Sequence, residues 1–259
     1  MTDERVVFGF QEFWQKVYDA YRPAFDAVAD ECKLAVEMFN AAQAKMSQPL
    51  ERAVYLLVSM TATGLHELLI LAGNGAGMGA MKISRGMFES AMIAEYLRRN
   101  GSEVDDYIEY GRVLMWKRVQ QDPDGFTPEK RKEVEDEYNR VKPRFADKKG
   151  VVRKQWNKNS IHHMAPAIGR EKQFESPYSV AASMHHGNLE GMLTHIKGKK
   201  EELSIEELPS MEWVKEALIS GHLYLLQSLE TLNNCVQLGF DKRLEAANEE
   251  FRRVWKNVA

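Results

Sequence analysis

The chain has 259 residues, 44% of them hydrophobic and 28% charged, which is enough to bury a sizeable core. A formal net charge of −3 excludes a protein that is basic overall, so a nucleic-acid-binding role would need a local basic patch. The two cysteines, Cys32 and Cys235, are too few for a disulfide framework, which favours a reducing cytoplasm.

The N-terminal sequence MTDERVVFGF lacks the order of basic and then apolar residues that a secretion signal shows. No apolar run approaches the roughly 20 residues needed to cross a bilayer, because His, Glu or Ser interrupts the longest ones. We therefore expect a cytoplasmic protein with no membrane partner.

Helical signals follow one another along the chain, and no sustained alternation predicts a strand. Pro23 follows a first amphipathic stretch, and Pro49 opens a long apolar segment. The glycine-rich stretch GNGAGMG, residues 73–79, is expected to join two antiparallel helices, since the Gly-Lys-Ser/Thr ending of a phosphate loop is missing. Pro177 then opens a helix that contains histidine.

This pattern predicts an all-α protein, an antiparallel helical bundle with about nine or ten helices. The long apolar helices are expected at about residues 49–71, 80–100, 177–196 and 210–238. We expect a single domain over residues 1–259, in which N-terminal helices within 8–46 and a C-terminal helix at 241–258 pack on a core of about 50–235.

Two opposite charges lie in the apolar helix MKISRGMFESAMIAEYLRRN. Arg85 and Glu89 are one turn apart on one face, which Met92 and Tyr96 continue. A buried charge is costly unless it is paired and hydrogen-bonded, so Arg85 and Glu89 are expected to pair with each other or with a neighbouring helix. The alternative is a structural ion pair that fixes helix packing, since such pairs imitate functional sites.

The preceding apolar helix carries a polar stripe. Its members are Arg52, Tyr55, Ser59, Thr63 and His66. This stripe either faces water, as on any surface helix, or lines a polar cavity against Arg85 and Glu89. In the second case His66 would contribute to binding.

The stretch YSVAASMHHGNLEG contains two adjacent histidines. On a helical wheel His185 falls within the apolar face, so we expect it to be buried and bonded to a backbone carbonyl. His186 lies at the edge of that face, beside Ser183, and is spaced to contact Glu190 one turn later. A neutral imidazole held by a carboxylate is the arrangement of general-base catalysis, and it is also an ordinary surface pair.

A metal site could in principle draw on four inward or helical residues. They are His66, Glu89, His185 and His222. The Glu-x-x-His pairs of di-iron bundles and the HExxH sequence of metalloproteases are absent, and the spacing of these four residues is nonspecific. We therefore expect no metal and no cofactor.

The segment from Arg140 to Lys158 has eight Lys or Arg residues and one acid, Asp147, with Phe145 and Trp156 interleaved. Basic and aromatic side chains together could bind RNA through its phosphates and bases. The alternative, which the negative net charge favours, is a solvated loop that nearby acidic residues partly neutralise.

These residues occur in a recognisable order: Arg85-x-x-x-Glu89 and Tyr96, then Trp156, then NSIHHMAPAIGRE, then Tyr178, Ser183 and His186-Gly187 in YSVAASMHHG. The order resembles a bacterial helical family of unknown function, DUF5677, over roughly residues 50 to 235. The resemblance implies a helical domain and a shared site. The residues that it brings to that site are Arg85, Glu89, Trp156, Tyr178, Ser183 and His186.

A second resemblance concerns His186-Gly187, which is similar to the end of the active-site sequence of HEPN-type ribonucleases, proteins of toxin and antiphage systems. In those enzymes an arginine and a polar residue precede the histidine, whereas Ala181 and Ala182 stand there in this chain. Arg85 from another helix would have to serve instead.

Three functions compete on these grounds. The first, which we favour because no catalytic signature is complete, is a binding or interaction protein of bacterial defence or stress type, in which Arg85 binds a small anionic ligand and Glu89 orients it. The second is a metal-independent HEPN-like ribonuclease, with His186 as general acid or base and Arg85 at the scissile phosphate. The third is a metal-dependent helical-bundle enzyme. The sequence leaves a homodimer or another protein partner open.

The expected site residues follow from these hypotheses. His186, Arg85 and Glu89 would act in catalysis, and Tyr178, Ser183, His185, Trp156 and His66 in binding.

Overall fold

The computed structural model describes residues 9–157, 161–186, 196–197, 204–205 and 209–257. Within these ranges it has ten α-helices, which confirms the all-α helical bundle. They are α1 (Gln11–Gln43), α2 (Pro49–Gly73), α3 (Gly77–Arg99), α4 (Val104–Gln121), α5 (Pro128–Phe145), α6 (Ile161–Ala167), α7 (Glu171–Gln173), α8 (Ser179–His186), α9 (Val214–Val236) and α10 (Asp241–Asn257).

Three short elements connect or extend these helices. Two 3₁₀ turns lie at Gly101–Glu103 and Pro123–Gly125, and a π-helical turn, Phe174–Tyr178, leads into α8. Two strands of two residues each, β1 (Ile196–Lys197) and β2 (Ser204–Ile205), pair antiparallel. The sequence predicted no strand, and a ladder this short has no room for the alternation that would reveal it.

The centre of the core is formed by α2, α3 and α9, which pack on one another. These helices are apolar on more than one face, and a helix of that kind is stable only when neighbours cover it. Leu65 and Leu68 of α2, Phe88 of α3, and Leu225 and Leu229 of α9 are all buried. Around this centre α6 and α8 lie against α3, α1 lies against α2 and α9, and α10 lies against α1 and α9.

The glycine-rich stretch connects α2 to α3, as the sequence predicted, and it allows a close approach of two helix starts. A Cβ atom on Gly77, the first residue of α3, would lie 2.0 Å from the carbonyl oxygen of Glu212 and 2.7 Å from the backbone nitrogen of Val214. Gly75 has φ +69, in the left-handed region that side chains disfavour. Glycine here lets the start of α9 pack directly on the start of α3.

The first helix differs from the expectation that Pro23 follows a separate stretch. Helix α1 continues from Gln11 to Gln43 across Pro23, with a kink at Tyr21, whose φ −123 and ψ 22 are not helical. Proline cannot donate a backbone hydrogen bond, and a kink is the usual way for a long helix to accommodate it.

Helix α2 also corrects the expectation that no apolar run is long enough to cross a membrane. By length and composition it is the one described helix that could do so, with mean hydropathy 1.6 over its most apolar window, a third of which is buried in the fold. Core helices of soluble proteins pass the same test, so the finding is weak evidence for a membrane location.

Candidate functional site

Helix α3 brings Arg85 and Glu89 together, as the sequence predicted, and Tyr178 joins them from the π-helical turn. Nε of Arg85 donates to Oε1 of Glu89 at 3.0 Å, and the Tyr178 hydroxyl donates to the same oxygen at 2.9 Å. Arg85 and Tyr178 therefore meet at one carboxylate oxygen of Glu89. We call this cluster of three side chains the Arg85 triangle.

Aromatic packing fixes the tyrosine of the Arg85 triangle. The ring of Tyr178 stacks on Phe174 at 4.9 Å between centroids and lies 5.1 Å from the ring of Phe88. The guanidinium carbon of Arg85 is 5.6 Å from the same ring centroid, within cation–π distance. Burial, followed by the negative charge of Glu89, raises the pKa of Tyr178, so its hydroxyl stays a hydrogen-bond donor.

The geometry of the Arg85 triangle is that of a structural ion pair. The side chain of Arg85 is 18% exposed and that of Glu89 35%, so an anion could reach the guanidinium only by competing with Glu89. The triangle links α3 to the turn before α8 and holds that turn against the core. Of the two readings open from the sequence, the structural one has the better geometric support.

The histidines expected at this site are placed differently. His185 is exposed, contrary to the expectation that it is buried. The buried face of α8 runs through Tyr178, Ala181 and Met184, which turns the next residue outward. Helix α8 ends at His186, whose side chain lies outside the described residues, so the pairing with Glu190 falls there as well.

Ser183 lies on α8 and is partly buried, and it has an interaction partner. His66 is exposed on α2, as are Arg52 and Thr63, so the polar stripe of that helix faces water. His66 therefore does not line a cavity against the Arg85 triangle.

Trp156 is buried, but it lies at the other end of α3. Its ring packs edge-on against Tyr96 at 6.1 Å and Tyr107 at 5.3 Å between centroids. Tyr96 is 11 residues beyond Arg85, a distance of about 16 Å along a helix. The structure thus does not bring Trp156 to the Arg85 triangle, and its ring is not available for stacking on a base.

In the basic segment from Arg140 to Lys158, three of the eight cations pair with acids among the described residues; they are Arg140, Arg144 and Arg153. Arg140 lies 2.9 Å from Glu109 of α4, and Arg153 lies 3.2 Å from Asp106. Phe145, the other interleaved aromatic, is 2% exposed. This arrangement favours a partly neutralised surface over an RNA-binding patch.

A polar cleft that the sequence analysis missed lies at the C-terminal end of α3. We call it the Arg170 cleft; its volume is about 370 Å³. It is lined by residues of α3, of the turn into α7 and of α9. The polar ones are Glu95, Arg98, Arg99, Arg170, Gln173, Gln227, Glu230, Thr231 and Asn234.

Glu95, which is 6% exposed, organises one wall of the Arg170 cleft. Its carboxylate accepts hydrogen bonds from Nε and Nη2 of Arg98 at 2.7 and 2.9 Å and from Nε of Arg99 at 2.6 Å. The Thr231 hydroxyl of α9 shares its proton between Glu95, at 3.2 Å, and the backbone carbonyl of Gln227, at 2.9 Å. Burial raises the pKa of Glu95, but the bonds from Arg98 and Arg99 outweigh this and hold it below its usual value.

Arg170 projects into the same cleft from the turn before α7. Its Nη1 is buried and, within the part of the chain that the structure describes, has no hydrogen-bond partner. Burial lowers the pKa of Arg170, while the negative charges of Glu95 and Glu230 oppose this shift. Nearby, Oε1 of Gln173 and Oε1 of Gln227 are also buried without partners among the described residues.

These groups give the Arg170 cleft an excess of positive charge. Three guanidinium groups line it against two carboxylates, and Glu95 is already saturated by Arg98, Arg99 and Thr231. Nη1 of Arg170 is the one buried donor without a partner among the described lining residues, whereas Oε1 of Gln173 and Oε1 of Gln227 are acceptors, so an anion in the cleft would satisfy the Arg170 donor. The sequence carried little signal for this: Arg98 and Arg99 are ordinary cations at a helix end, and Arg170 follows a glycine in a connecting segment.

No group of three or more His, Cys, Asp or Glu side chains that could hold a metal ion occurs among the described residues. His222, buried on α9, lies with Glu31 and Trp255 in a second cluster, which shares helix α9 with the Arg170 cleft.

Comparison with known families gives one match. A family model described as a family of unknown function, DUF5677, matches residues 51–203, which include the Arg85 triangle and Arg170. No curated protein and no solved structure matches the chain.

Proposed function

We propose that this chain, which belongs to the DUF5677 family of unknown function, is a helical binding protein whose ligand is a small anion held in the Arg170 cleft. The favoured hypothesis from the sequence placed such an anion on Arg85. The geometry supports the same class of function at a different residue.

The observation that carries the proposal is the buried, unpartnered Nη1 of Arg170. A buried donor without an acceptor costs about 1–3 kcal/mol, and more when the group is charged. An unsatisfied buried group in a native protein requires an explanation. An anionic ligand would supply both the acceptor and the negative charge that Arg170 lacks.

The neighbouring charges support an anion rather than an internal partner. Glu95 is a buried carboxylate of the Arg170 cleft, but Arg98 and Arg99 occupy both of its oxygens. Glu230 accepts a hydrogen bond from Asn248 of α10. Both carboxylates of the Arg170 cleft therefore accept hydrogen bonds from other residues of the protein, whereas Nη1 of Arg170 has no acceptor among the described residues.

The size of the cleft fits a small ligand. Its volume of about 370 Å³ lies near the lower end of the roughly 300–1,000 Å³ that small-molecule sites span. In this account the Arg85 triangle holds the turn before α8 in place and binds no ligand. A role in defence or stress, a cytoplasmic location and RNA as the ligand stay predictions from the sequence.

The proposal is tested by unfolding temperature in the presence of inorganic phosphate, at constant ionic strength. Specific binding raises the unfolding temperature in a saturable way, because a ligand that binds only the folded state stabilises it. We expect this rise in the wild type and its loss in Arg170→Gln.

Two further variants serve as controls. Arg52→Gln removes one positive charge from the exposed face of α2 and should respond to phosphate as the wild type does. Arg85→Gln should also keep the response, although its baseline stability falls. A response lost in Arg85→Gln and kept in Arg170→Gln would return the anion to Arg85 and overturn the proposal.

A further inference from the structure

A second pocket, between α1 and α10, is independent of the proposed anion site. It has a volume of about 340 Å³. Helix α1 contributes Asp26, Asp30 and Glu31 to its lining, and α10 contributes Ala246, Ala247 and Glu250. We call it the Glu31 pocket.

Glu31 is the most deeply buried charged residue of this pocket, with 2% of its surface exposed. Nε2 of His222 lies 2.9 Å from Oε2 of Glu31, but its N–H is not aligned with that oxygen. Neither carboxyl oxygen of Glu31 accepts a hydrogen bond among the described residues. A buried carboxyl group of this kind is costly without donors.

His222 does not supply the positive charge that Glu31 lacks. The indole N–H of Trp255 donates to Nδ1 of His222 at 3.1 Å, so Nδ1 is an acceptor and the proton of the neutral ring resides on Nε2. Burial lowers the pKa of His222 to about 4, which the negative charge of Glu250 only partly opposes. The imidazole beside Glu31 is therefore uncharged at neutral pH.

The other charged groups make the Glu31 pocket acidic. Asp26, Asp30 and Glu250 lie around it; Lys33 pairs with Asp30 and Arg253 with Glu250, whereas no ion pair of Asp26 occurs among the described residues. Among the described residues that line it, Arg243 is the one with a permanent positive charge, and Glu37 engages both terminal nitrogens of that guanidinium at the surface. A ligand that enters the pocket thus meets an excess of negative charge and a buried carboxyl group without donors.

We propose that the Glu31 pocket binds a short aliphatic ammonium ion. The ammonium group would donate hydrogen bonds to the carboxyl oxygens of Glu31, which lack donors, and Asp26 would attract its charge. The small side chains of Ala246 and Ala247 leave room for a narrow alkyl chain against α10. A primary amine fits this chemistry, because it combines three N–H donors with an apolar body.

Unfolding temperature with two cations of equal charge tests this assignment. n-Butylammonium has N–H donors, whereas tetramethylammonium has none, and both are compared at the same ionic strength. We expect a saturable rise of the unfolding temperature with n-butylammonium alone. Equal effects of the two cations would overturn the proposal, since it requires hydrogen bonds to Glu31 and not charge alone.

Amino-acid substitutions test whether the response to n-butylammonium arises from binding in the Glu31 pocket. Glu31→Gln should lose the response to n-butylammonium, while Glu67→Gln, which removes an exposed carboxylate of α2, should keep it. If Glu31→Gln does not fold, Ala247→Leu tests the same site by filling the pocket with Glu31 intact, and it should also lose the response. An unchanged response in Ala247→Leu, or in a folded Glu31→Gln, would refute the site.

Discussion

Replacement of Arg170 by methionine is predicted to stabilise the unliganded protein, although charged-to-apolar changes in a native fold usually do not. The guanidinium has a buried nitrogen without a partner among the described residues, and burial lowers its pKa, which means that the fold disfavours its charged form. Methionine keeps much of the aliphatic stem and brings no donor that needs an acceptor.

The magnitude follows from two opposing effects. Relief of an unsatisfied buried donor contributes about 1–3 kcal/mol. Loss of the attraction to Glu95 and Glu230 offsets part of this gain. We therefore expect Arg170→Met to raise the free energy of unfolding by about 1 kcal/mol in the absence of ligand.

Arg98→Met is the matched control, since it removes a guanidinium from the same cleft. Arg98 donates two hydrogen bonds to Glu95, which is 6% exposed, so its loss leaves a buried carboxylate with fewer donors. Arg99 and Thr231 remain as partners, and we expect a loss of about 2 kcal/mol, below the cost of breaking a fully buried ion pair.

The assay is urea unfolding followed by circular dichroism, in a buffer free of phosphate because phosphate is the test ligand. The two variants should move the unfolding midpoint in opposite directions. If Arg170→Met is less stable than the wild type by 1 kcal/mol or more, the guanidinium has partners within the protein, and the reasoning that assigns it to a ligand fails.

Three further predictions concern other parts of the fold. Gly77→Ala should lower the free energy of unfolding by at least about 2 kcal/mol, because the added Cβ would meet backbone atoms of the segment before α9. Gly86→Ala on the same helix adds a Cβ with nothing within 4 Å and should raise the free energy of unfolding by up to about 1 kcal/mol. Thermal denaturation distinguishes the two variants, and a similar effect of both would be inconsistent with the close approach at Gly77. Tyr178→Phe removes the hydroxyl of the Arg85 triangle and should cost about 1 kcal/mol in the same assay while leaving phosphate binding intact; loss of phosphate binding would show that the triangle belongs to the ligand site. Burial raises the pKa of Glu31 well above its ordinary value of 4.5, so as the pH rises above about 4.5 the unfolded chain releases a proton that the folded state retains, and this group lowers stability by up to about 1.4 kcal/mol per pH unit. Urea unfolding at several pH values should show this decline reduced in Glu31→Gln, and an unchanged decline would assign it to other groups.

The fold could be predicted from the sequence because the patterns that indicate a helix depend on residues that are neighbours in the chain. The apolar periodicity of α2, α3 and α9 and the helix start at Pro49 are properties of neighbouring residues. The helix expected at about 177–196 differs, because Pro177 lies in the π-helical turn, α8 begins at Ser179, and Ile196 belongs to β1. The helix at Pro23 was not predicted correctly, because α1 continues across this proline. Proline predicts a break in backbone hydrogen bonding, but the packing of α1 on the core decides whether that break ends the helix or only kinks it.

The candidate sites could be predicted from the sequence only in part. Arg85 and Glu89 are one helical turn apart, so their contact could be predicted from spacing, and the contribution of Tyr178 followed from the family resemblance. The exposure of His185 could not be predicted, because a small rotation of a short helix exchanges its neighbouring faces. In the same way, nothing local relates Arg170 to the end of α3, or Glu31 to His222, since each pair meets only through the packing of separate helices.

Isothermal titration calorimetry with inorganic phosphate tests the central claim most directly, because it measures binding without reference to stability. At constant ionic strength, the wild type should bind phosphate saturably at one site, and Arg170→Met should not, although it folds at least as well. Absence of saturable binding to the wild type, or an unchanged dissociation constant in Arg170→Met, would contradict the assignment of the Arg170 cleft as an anion-binding site.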